Sequence, residues 1–222
     1  MAAFDWDGGF DRRLFVLGGA ASSLLIGSIA EASIFDGLGL SKMLGKASDG
    51  ALDKLALPDG FYRDTAIRVL LPGAKGKLAS KLMGAGDKLG VTNKLTKSLN
   101  DAASLAAGEA KPIFRTAISG LKLTDVPGIA MKNDGATNYL KQSASADLLT
   151  KIRPLIGGAL GKVGAFDQLT KLTKTGGLLG MLGLTNDKLT DSVSNQALNG
   201  IFSYIGKEEA GLRSNPLGKI LG

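Results

Sequence analysis

The sequence predicts an all-α fold, a single compact multi-helix domain that follows a cleavable N-terminal signal segment. Apolar residues recur at spacings of three and four along most of the chain, which is the period of an amphipathic helix. No alternating run of β-branched and aromatic residues lasts beyond a few positions, so strands are not expected. Hydrophobic residues make up 44% of the 222 positions and charged residues 21%, a balance typical of a globular chain.

The absence of Cys and His from the sequence excludes whole classes of chemistry. A disulfide framework, a Cys or His zinc site, a Cys–His or Ser–His–Asp nucleophile and a thiolate iron–sulfur cluster all need one of these residues. The sequence also lacks a G-x-x-x-x-G-K-[ST] loop, which argues against a nucleotide phosphate site. We therefore expect no metal and no cofactor.

Residues 1–32 have the order of a secretory signal peptide. The basic pair Arg12-Arg13 precedes 17 uncharged, mostly apolar positions, and the small residues Ala30 and Ala32 stand at −3 and −1 of a predicted cut. The alternative is a retained spanning helix, which needs about 20 apolar residues, whereas Gly and Ser dilute this stretch. We predict cleavage after Ala32, which leaves residues 33–222 as the mature domain.

The region around this basic pair resembles a twin-arginine signal, in which paired Arg is followed by a spacer, Phe15 and apolar residues. Such signals usually carry Ser or Thr where Asp11 stands, so the general secretory route is the alternative. Either route makes the export translocase a partner and predicts a periplasmic location. Because no Cys lies near the cut, we expect no lipid anchor.

Helices and turns alternate through the first half of the mature chain. Apolar spacing predicts a helix over 38–57, ended by the turn residues Leu57-Pro58-Asp59-Gly60. An extended, apolar-rich connection is expected over 61–72, followed by a short helix over 74–89. The longest periodic segment covers 92–121, where Pro112 predicts either a kink or a second helix with the proline in its first turn.

The second half is predicted to hold a short helix over 124–132, a turn at 133–135 and helices near 136–143 and 146–163. In the last of these, glycines predict a bare surface on which another backbone packs closely: Gly157, Gly161 and Gly164.

The Gly-rich apolar stretch 176–184 is expected to be a partly buried loop, with a mobile loop, a hydrophobic lid or a membrane-touching segment as the alternatives. Asn186 is predicted to cap a final helix that ends near Leu212 and Arg213.

Sequence motifs follow one another in order across residues 40–222. They are Leu57-Pro58-Asp59-Gly60-Phe61, Ile67-Arg68-Val69-Leu70-Leu71-Pro72, Glu109-Ala110-Lys111-Pro112-Ile113-Phe114, Gly135-Ala136-Thr137-Asn138-Tyr139-Leu140, Arg153-Pro154-Leu155-Ile156, Gln196-Ala197-Leu198-Asn199-Gly200-Ile201-Phe202, and then Glu208-Glu209, Arg213 and Asn215-Pro216. In this order they resemble the bacterial family called domain of unknown function 4197. The resemblance implies an exported, helical envelope protein and supplies no catalytic residues. Segment 176–184 departs from the family, whose members look more polar there.

The candidate functional residues are polar positions within these motifs: Asp59, Arg68, Glu109, Lys111, Tyr139, Arg153, Glu208, Glu209 and Arg213. Glu109 and Lys111 flank Pro112 and have the residue types of an acid–base pair, but residues this close at a helix break more often form a cap or an ion pair. For Glu208 and Glu209 we expect a surface pairing with Arg213 at i+4 or i+5.

No combination of these residues forms a recognised nucleophile–base set, so the expected function is a non-enzymatic binding or interaction module. Its expected ligand is an amphiphile, an anionic membrane surface or an envelope partner. The alternative is a carboxylate-dependent hydrolase that acts in the periplasm through residues such as Glu109 and Glu208.

The segment from residue 75 to residue 97 contains six lysines and one acidic residue, Asp87, which gives it a local charge of +5. We expect Lys75, Lys77 and Lys81 to contact lipid or another anionic surface, and a solubility role is the alternative. Aromatic residues make up only 5% of the chain, so nucleic acid is not an expected partner.

Overall fold

The computed structural model describes residues 39–72, 91–122, 129, 132–174 and 183–214. These residues form six α-helices and no β-strand, which confirms the predicted all-α class. In chain order the helices are α1 (residues 39–56), α2 (Val91–Glu109), α3 (Lys111–Ser119), α4 (Gly135–Lys162), α5 (Ala165–Lys174) and α6 (Asn186–Ser214). The predicted helix over 74–89, most of the helix over 124–132 and most of segment 176–184 lie outside the described residues.

Helix α1 ends at the predicted turn. The Gly60 N–H donates to the Leu57 carbonyl oxygen at 2.9 Å, and Asp59 adopts a φ of 63°, a left-handed conformation that Asp tolerates better than most residues. A Cβ at Gly60 would lie 2.3 Å from the carbonyl oxygen of Leu55. The turn can therefore close against the end of α1 only with glycine at position 60.

The connection over residues 61–72 is turned in its first part, where the sequence predicted an extended chain. The Arg63 N–H donates to the Asp59 carbonyl oxygen, and the N–H groups of Ile67 and Arg68 both donate to that of Asp64. Beyond residue 67 the connection has neither helix nor turn until Pro72. Its apolar side chains enter the core, so packing against the helices overrides the extended tendency of these residues.

Helices α2 and α3 are separate, as one of the two alternatives at Pro112 predicted. Ala110 is the residue between them, and Pro112 lies in the first turn of α3, where its missing N–H leaves no helical bond unmade. The Phe114 N–H already donates to the Ala110 carbonyl oxygen at 3.1 Å. The proline thus fixes where α3 begins.

Helix α4 is one helix of 28 residues, so the prediction of two helices near 136–143 and 146–163 is wrong. The hydroxyls of Ser145 and Thr150 donate to the carbonyls four residues earlier, Lys141 and Ala146. These polar residues are therefore satisfied within the helix and do not end it. The helix also continues through Pro154, whose ring is exposed to solvent.

Helix α6 begins at Asn186, one residue earlier than a cap at that position predicts, and ends at Ser214, close to the predicted end at Arg213. Thr185, and not Asn186, acts as the cap, because its Oγ1 accepts a hydrogen bond from the Lys188 N–H at 3.2 Å. Thr and Asn both serve as caps, and a sequence pattern alone does not separate adjacent candidates.

The two longest described helices, α4 and α6, pack antiparallel. Gly206 of α6 faces Thr137 near the start of α4, whereas Thr190 near the start of α6 faces Gly157. Phe114 of α3 packs edge-on against Phe202 of α6, with ring centres 6.1 Å apart. The largest fully buried side chains come from every described helix except α5 and α6, and from the 61–72 connection: Phe61, Phe114, Leu44, Leu52, Leu55, Leu95, Leu99, Leu140, Leu148, Ile152, Ile156 and Leu160.

The close backbone approach predicted for the glycines of α4 is found elsewhere. Within the described part of the chain, a Cβ at Gly161 or Gly164 would meet nothing within 4 Å. A Cβ at Gly135, in contrast, would lie 2.1 Å from the Ile129 carbonyl oxygen, and one at Gly200 would lie 2.9 Å from Cε1 of Phe61. Gly157 does face α6, where a Cβ would lie 3.6 Å from Cγ2 of Thr190. The prediction therefore fails at Gly161 and Gly164, and tighter contacts are found at the start of α4 and the middle of α6.

Candidate functional site

Several predicted functional residues lie outside the described residues. These are the signal residues Arg12, Arg13, Ala30 and Ala32 and the candidate surface lysines Lys75, Lys77 and Lys81. The other candidates are described, and each can be placed relative to its neighbours.

Glu109 and Lys111 do not form a pair with each other. Glu109, at the end of α2, lies 3.6 Å from Lys162 of α4, and Lys111, at the start of α3, lies 2.5 Å from Asp53 of α1. The helix break at Ala110 directs the two side chains toward different helices. Both residues therefore form ion pairs that join separate helices.

Arg153 and Glu208 also connect helices. Arg153 of α4 lies 2.5 Å from Asp191 and 3.4 Å from Asp187, both on α6. Hydrogen bonding to Asp191, and then its charge, raises the pKa of Arg153. Glu208 of α6 pairs with Lys54 of α1. None of these pairs is fully buried.

Glu209 is the one fully buried carboxylate in the described chain, with an exposed fraction of 0%. Its oxygens accept hydrogen bonds from the backbone N–H groups of Ala136 and Thr137 at 3.0 and 2.7 Å, and from the Thr137 hydroxyl at 2.6 Å. Arg213 also donates to it, with Nη2 at 2.8 Å. Glu209 thus pairs with Arg213 at i+4 as predicted, but it caps the first turn of α4 in the interior and is not at the surface.

Asp59 and Lys97 fasten the turn after α1 to helix α2. The Lys97 Nζ lies 2.9 Å from Asp59 Oδ1 and 2.6 Å from Asp101 Oδ1. The hydrogen bond from Lys97 lowers the pKa of Asp59, and the bonds to Asp101 and Asp59 raise the pKa of Lys97. Lys97 is thereby held as an ammonium ion between two carboxylates. Of the six lysines between residues 75 and 97, it is therefore not available to an anionic surface.

Arg68 and Tyr139 have local roles in packing. The Arg68 Nε donates to the Tyr62 carbonyl oxygen at 2.6 Å, and its guanidinium lies 4.6 Å from the centre of the Tyr62 ring. Tyr139 is half-buried on α4, packs against the core and lines a shallow groove of about 390 Å³ with residues of α3 and α4.

Residues 69 and 70 are held by two side-chain amides for which the sequence predicted no role. Asn100 of α2 is fully buried, accepts from the Val69 N–H at 2.8 Å and donates to the Val69 carbonyl at 2.9 Å. Gln196 of α6 does the same for Leu70, at 3.0 and 2.9 Å. Together they satisfy backbone groups that have no strand or helix partner. In the sequence, Asn100 is a polar residue next to the apolar positions of the predicted helix. That position was the signal from which its buried role could have been predicted.

Asp64 organises the turned part of the 61–72 connection. It accepts from the Ala66 N–H at 2.9 Å and from the Tyr204 hydroxyl at 3.0 Å, and Lys207 lies 3.5 Å away. These hydrogen bonds, the one from Ala66 first, lower the pKa of Asp64. Burial, and then the bond to Asp64, raises the pKa of Tyr204.

Two adjacent grooves run along α6. The α6 groove lies between α4 and α6, has a volume of about 540 Å³ and is lined by Asn133, Asp134, Thr137, Asn138, Lys141, Asn199, Phe202, Ser203, Gly206, Lys207 and Ala210. The loop groove lies between α6 and the 61–72 connection, has a volume of about 360 Å³ and is lined by Thr65, Ala66, Ile67, Arg68, Leu70, Gln196, Asn199, Gly200 and Ser203. Asn199 and Ser203 line both grooves.

The predicted candidates contribute little to these grooves. Of the nine polar candidates, Arg68 lines the loop groove and Tyr139 lines the separate groove between α3 and α4. Neither Glu109 nor Glu208 lines any of the three grooves. Within the described ranges, no three carboxylates lie close enough together to hold a metal ion, and no helix has the length and apolarity to span a membrane.

A family model described as Protein of unknown function (DUF4197) matches residues 30–220. This match agrees with the motifs quoted from the sequence. No curated protein and no solved structure matches the chain.

Proposed function

The chain belongs to the DUF4197 family of proteins of unknown function, and we propose that this protein is a non-enzymatic binding module of the bacterial envelope. The observation that carries the proposal is the α6 groove, an open groove of about 540 Å³ lined by both polar and apolar groups. This volume is within the range of sites that bind small ligands. The groove gives the protein a place to hold a ligand.

The envelope location rests on the sequence of residues 1–32. The basic pair Arg12-Arg13, the apolar stretch and the small residues Ala30 and Ala32 support export across the inner membrane.

The ion pairs favour binding over hydrolysis. A carboxylate that acts as general acid or base must be free to exchange a proton with the substrate. Glu109 pairs with Lys162 and Glu208 pairs with Lys54, and each lysine lies on another helix. We therefore assign these two carboxylates to holding helices together.

Native mass spectrometry of the exported protein, purified gently from the periplasm, tests the proposal. We expect a bound non-protein mass in the wild type and its loss in Ser203→Trp, because the indole would fill the junction of the two grooves. Asn195→Trp is the matched control, since Asn195 is exposed on the same helix and lines neither groove. Equal occupancy in both variants would overturn the assignment of the groove.

Lys75, Lys77 and Lys81 support a second contact, with an anionic membrane surface. Each basic residue near such a surface contributes about 1 kcal/mol, and salt screens the attraction beyond about 8–10 Å. We predict that the protein co-sediments with phosphatidylglycerol vesicles at low salt and that changing these three lysines to Gln reduces binding. The control replaces Lys42, Lys46 and Lys174, three exposed lysines outside this segment, in the same way. Binding that is absent at low salt, or equally reduced in both variants, would leave these lysines with a solubility role.

A further inference from the structure

The α6 groove and the loop groove form one continuous surface. Asn199 and Ser203, one helical turn apart on α6, line both of them. A ligand that lies across this pair of residues contacts α4 on one side and the 61–72 connection on the other. The combined surface therefore suits an extended ligand of more than one ring or residue.

The polar groups in the two grooves are mostly uncharged amides and hydroxyls. Among the described residues, the side chains of Asn138, Asn199 and Ser203 are exposed and make no hydrogen bond, so they are available to a ligand. An amide presents a donor and an acceptor side by side, which matches two neighbouring hydroxyl groups that each donate and accept. Carbohydrates are the ligands that present such hydroxyl pairs repeatedly.

The charges around the α6 groove favour an anionic ligand. Lys141 has no ion-pair partner among the described residues, and its Nζ lies 5.9 Å from the centre of the Phe202 ring. The Lys207 Nζ lies 3.5 Å from Asp64, at an exposed position. Asp134 is the single carboxylate that lines the groove. Counted over both grooves, three cations (Lys141, Lys207 and Arg68) stand against two carboxylates, Asp134 and the Asp64 that pairs with Lys207, which leaves a positive balance of one charge.

Other ligand classes fit these grooves less well. An acyl chain needs a wide apolar wall, but Phe202 is only 3% exposed and packs against Phe114. The same burial leaves no aromatic face on which a nucleotide base could stack. The described residues contain no strand to whose edge a peptide could be added.

We infer that the α6 groove and the loop groove together bind an acidic oligosaccharide. Asn138, Asn199 and Ser203 hydrogen-bond its hydroxyls, and Lys141 and Lys207 face its carboxylate groups. This inference rests on the proposed function and names the ligand class of the same groove.

Isothermal titration of the exported protein with an oligogalacturonate of defined length tests the inference. We expect the oligogalacturonate to bind and a neutral malto-oligosaccharide of equal length to bind about tenfold or more weakly. Lys141→Gln combined with Lys207→Gln should weaken oligogalacturonate binding by about tenfold, because charge-assisted hydrogen bonds are lost. Lys42→Gln combined with Lys46→Gln removes the same charge elsewhere and should leave binding unchanged.

The outcomes separate this inference from the proposed function. The inference would be overturned if the neutral malto-oligosaccharide bound as tightly as the oligogalacturonate. It would also be overturned if polyglutamate, an acidic polymer that is not a sugar, bound as tightly as the oligogalacturonate and still bound to Ser203→Trp. If mass spectrometry detects a ligand that Ser203→Trp displaces, but oligogalacturonate does not bind, the ligand class is wrong and the groove assignment stands. If Ser203→Trp changes neither measurement, both proposals fail.

Discussion

The carboxylate of Glu209 joins the last turns of α6 to the first turn of α4. Its two oxygens are satisfied by backbone N–H groups of Ala136 and Thr137, by the Thr137 hydroxyl and by Arg213. Because the first N–H groups of a helix have no partner within the helix, an anion placed there is stabilised by both the hydrogen bonds and the helix dipole. A single side chain from α6 thus fixes where α4 starts.

We predict that Glu209→Gln lowers the free energy of unfolding by about 3–5 kcal/mol, because it leaves Arg213 without its buried partner and places an amide N–H₂ against helix N–H donors. The adjacent Glu208→Gln is the matched control. Glu208 pairs with Lys54, whose side chain is 55% exposed, so its loss should cost about 1 kcal/mol or less. Urea denaturation measures both, and equal losses would contradict a special role for Glu209.

The hydrogen bonds to Asp64 make a pH-dependent contribution to stability. Because its folded-state pKa is lowered, the contribution is present above the unfolded-state pKa of about 3.9 and is lost as pH falls through the folded-state pKa. We predict that the stability difference between wild type and Asp64→Asn is present at pH 6 and closes in acid below about pH 3.9. Denaturation midpoints over this pH range measure it.

Tyr204→Phe provides the control for that prediction. It removes the hydroxyl that donates to Asp64 at 3.0 Å but keeps the ring in place. NMR titration of the Asp64 carboxyl carbon should show a pKa closer to its ordinary value in this variant. An unchanged titration curve would show that the Tyr204 hydroxyl does not influence Asp64.

At the scale of elements, the segment around residues 69 and 70 depends on neighbouring helices for its backbone hydrogen bonds. Asn100 of α2 holds Val69, and Gln196 of α6 holds Leu70, each through one donor and one acceptor. The segment is therefore fixed between two helices without belonging to a sheet. It also forms one side of the loop groove, so its position affects the proposed binding surface.

We predict that Asn100→Ala destabilises the protein more than Gln196→Ala does. Asn100 is fully buried, so its loss leaves two backbone groups of Val69 unsatisfied, at about 1–3 kcal/mol for each. Gln196 is half-buried, and water can replace its amide at Leu70. Thermal unfolding of the two variants gives the comparison, and a larger loss for Gln196→Ala would contradict it.

Apolar spacing predicted most of the helices, because a helix buries one face and the pattern of that face is local in the sequence. Residues 38–57 and 92–121 are examples, with Pro112 giving the start of α3. The division of α4 was predicted wrongly, because polar residues such as Ser145 bond to their own helix. The site was less predictable: ion pairs such as Glu109–Lys162 and the grooves depend on which helices meet, which no local pattern records.

At the scale of the whole molecule, charged side chains connect helices that are distant in sequence. Asp49 and Asp53 of α1 pair with Arg115 and Lys111 of α3, and further pairs join α1 to α6, α2 to α4 and α4 to α6. Exposed pairs of this kind each contribute about 0–1 kcal/mol. The buried core therefore provides most of the stability, and the surface that remains open along α6 is the one that we propose as the binding surface.

Export as a folded protein is the last prediction, and it belongs to the chain as a whole. The twin-arginine route carries folded cargo, so we expect this helical chain without cysteine to fold before it crosses the membrane. Because that route recognises the arginine pair itself, Arg12→Lys combined with Arg13→Lys should trap the precursor in the cytoplasm although the positive charge is kept.

The control for this prediction is Arg63→Lys combined with Arg115→Lys. Both positions are exposed on the folded domain, so this variant should leave export unchanged. Cell fractionation measures how much of each variant reaches the periplasm. The mass of the periplasmic form should correspond to a chain that begins at Ser33. An unchanged periplasmic yield of the first variant would reject the twin-arginine route in favour of general secretion, and an unprocessed mass would show that residues 1–32 are retained.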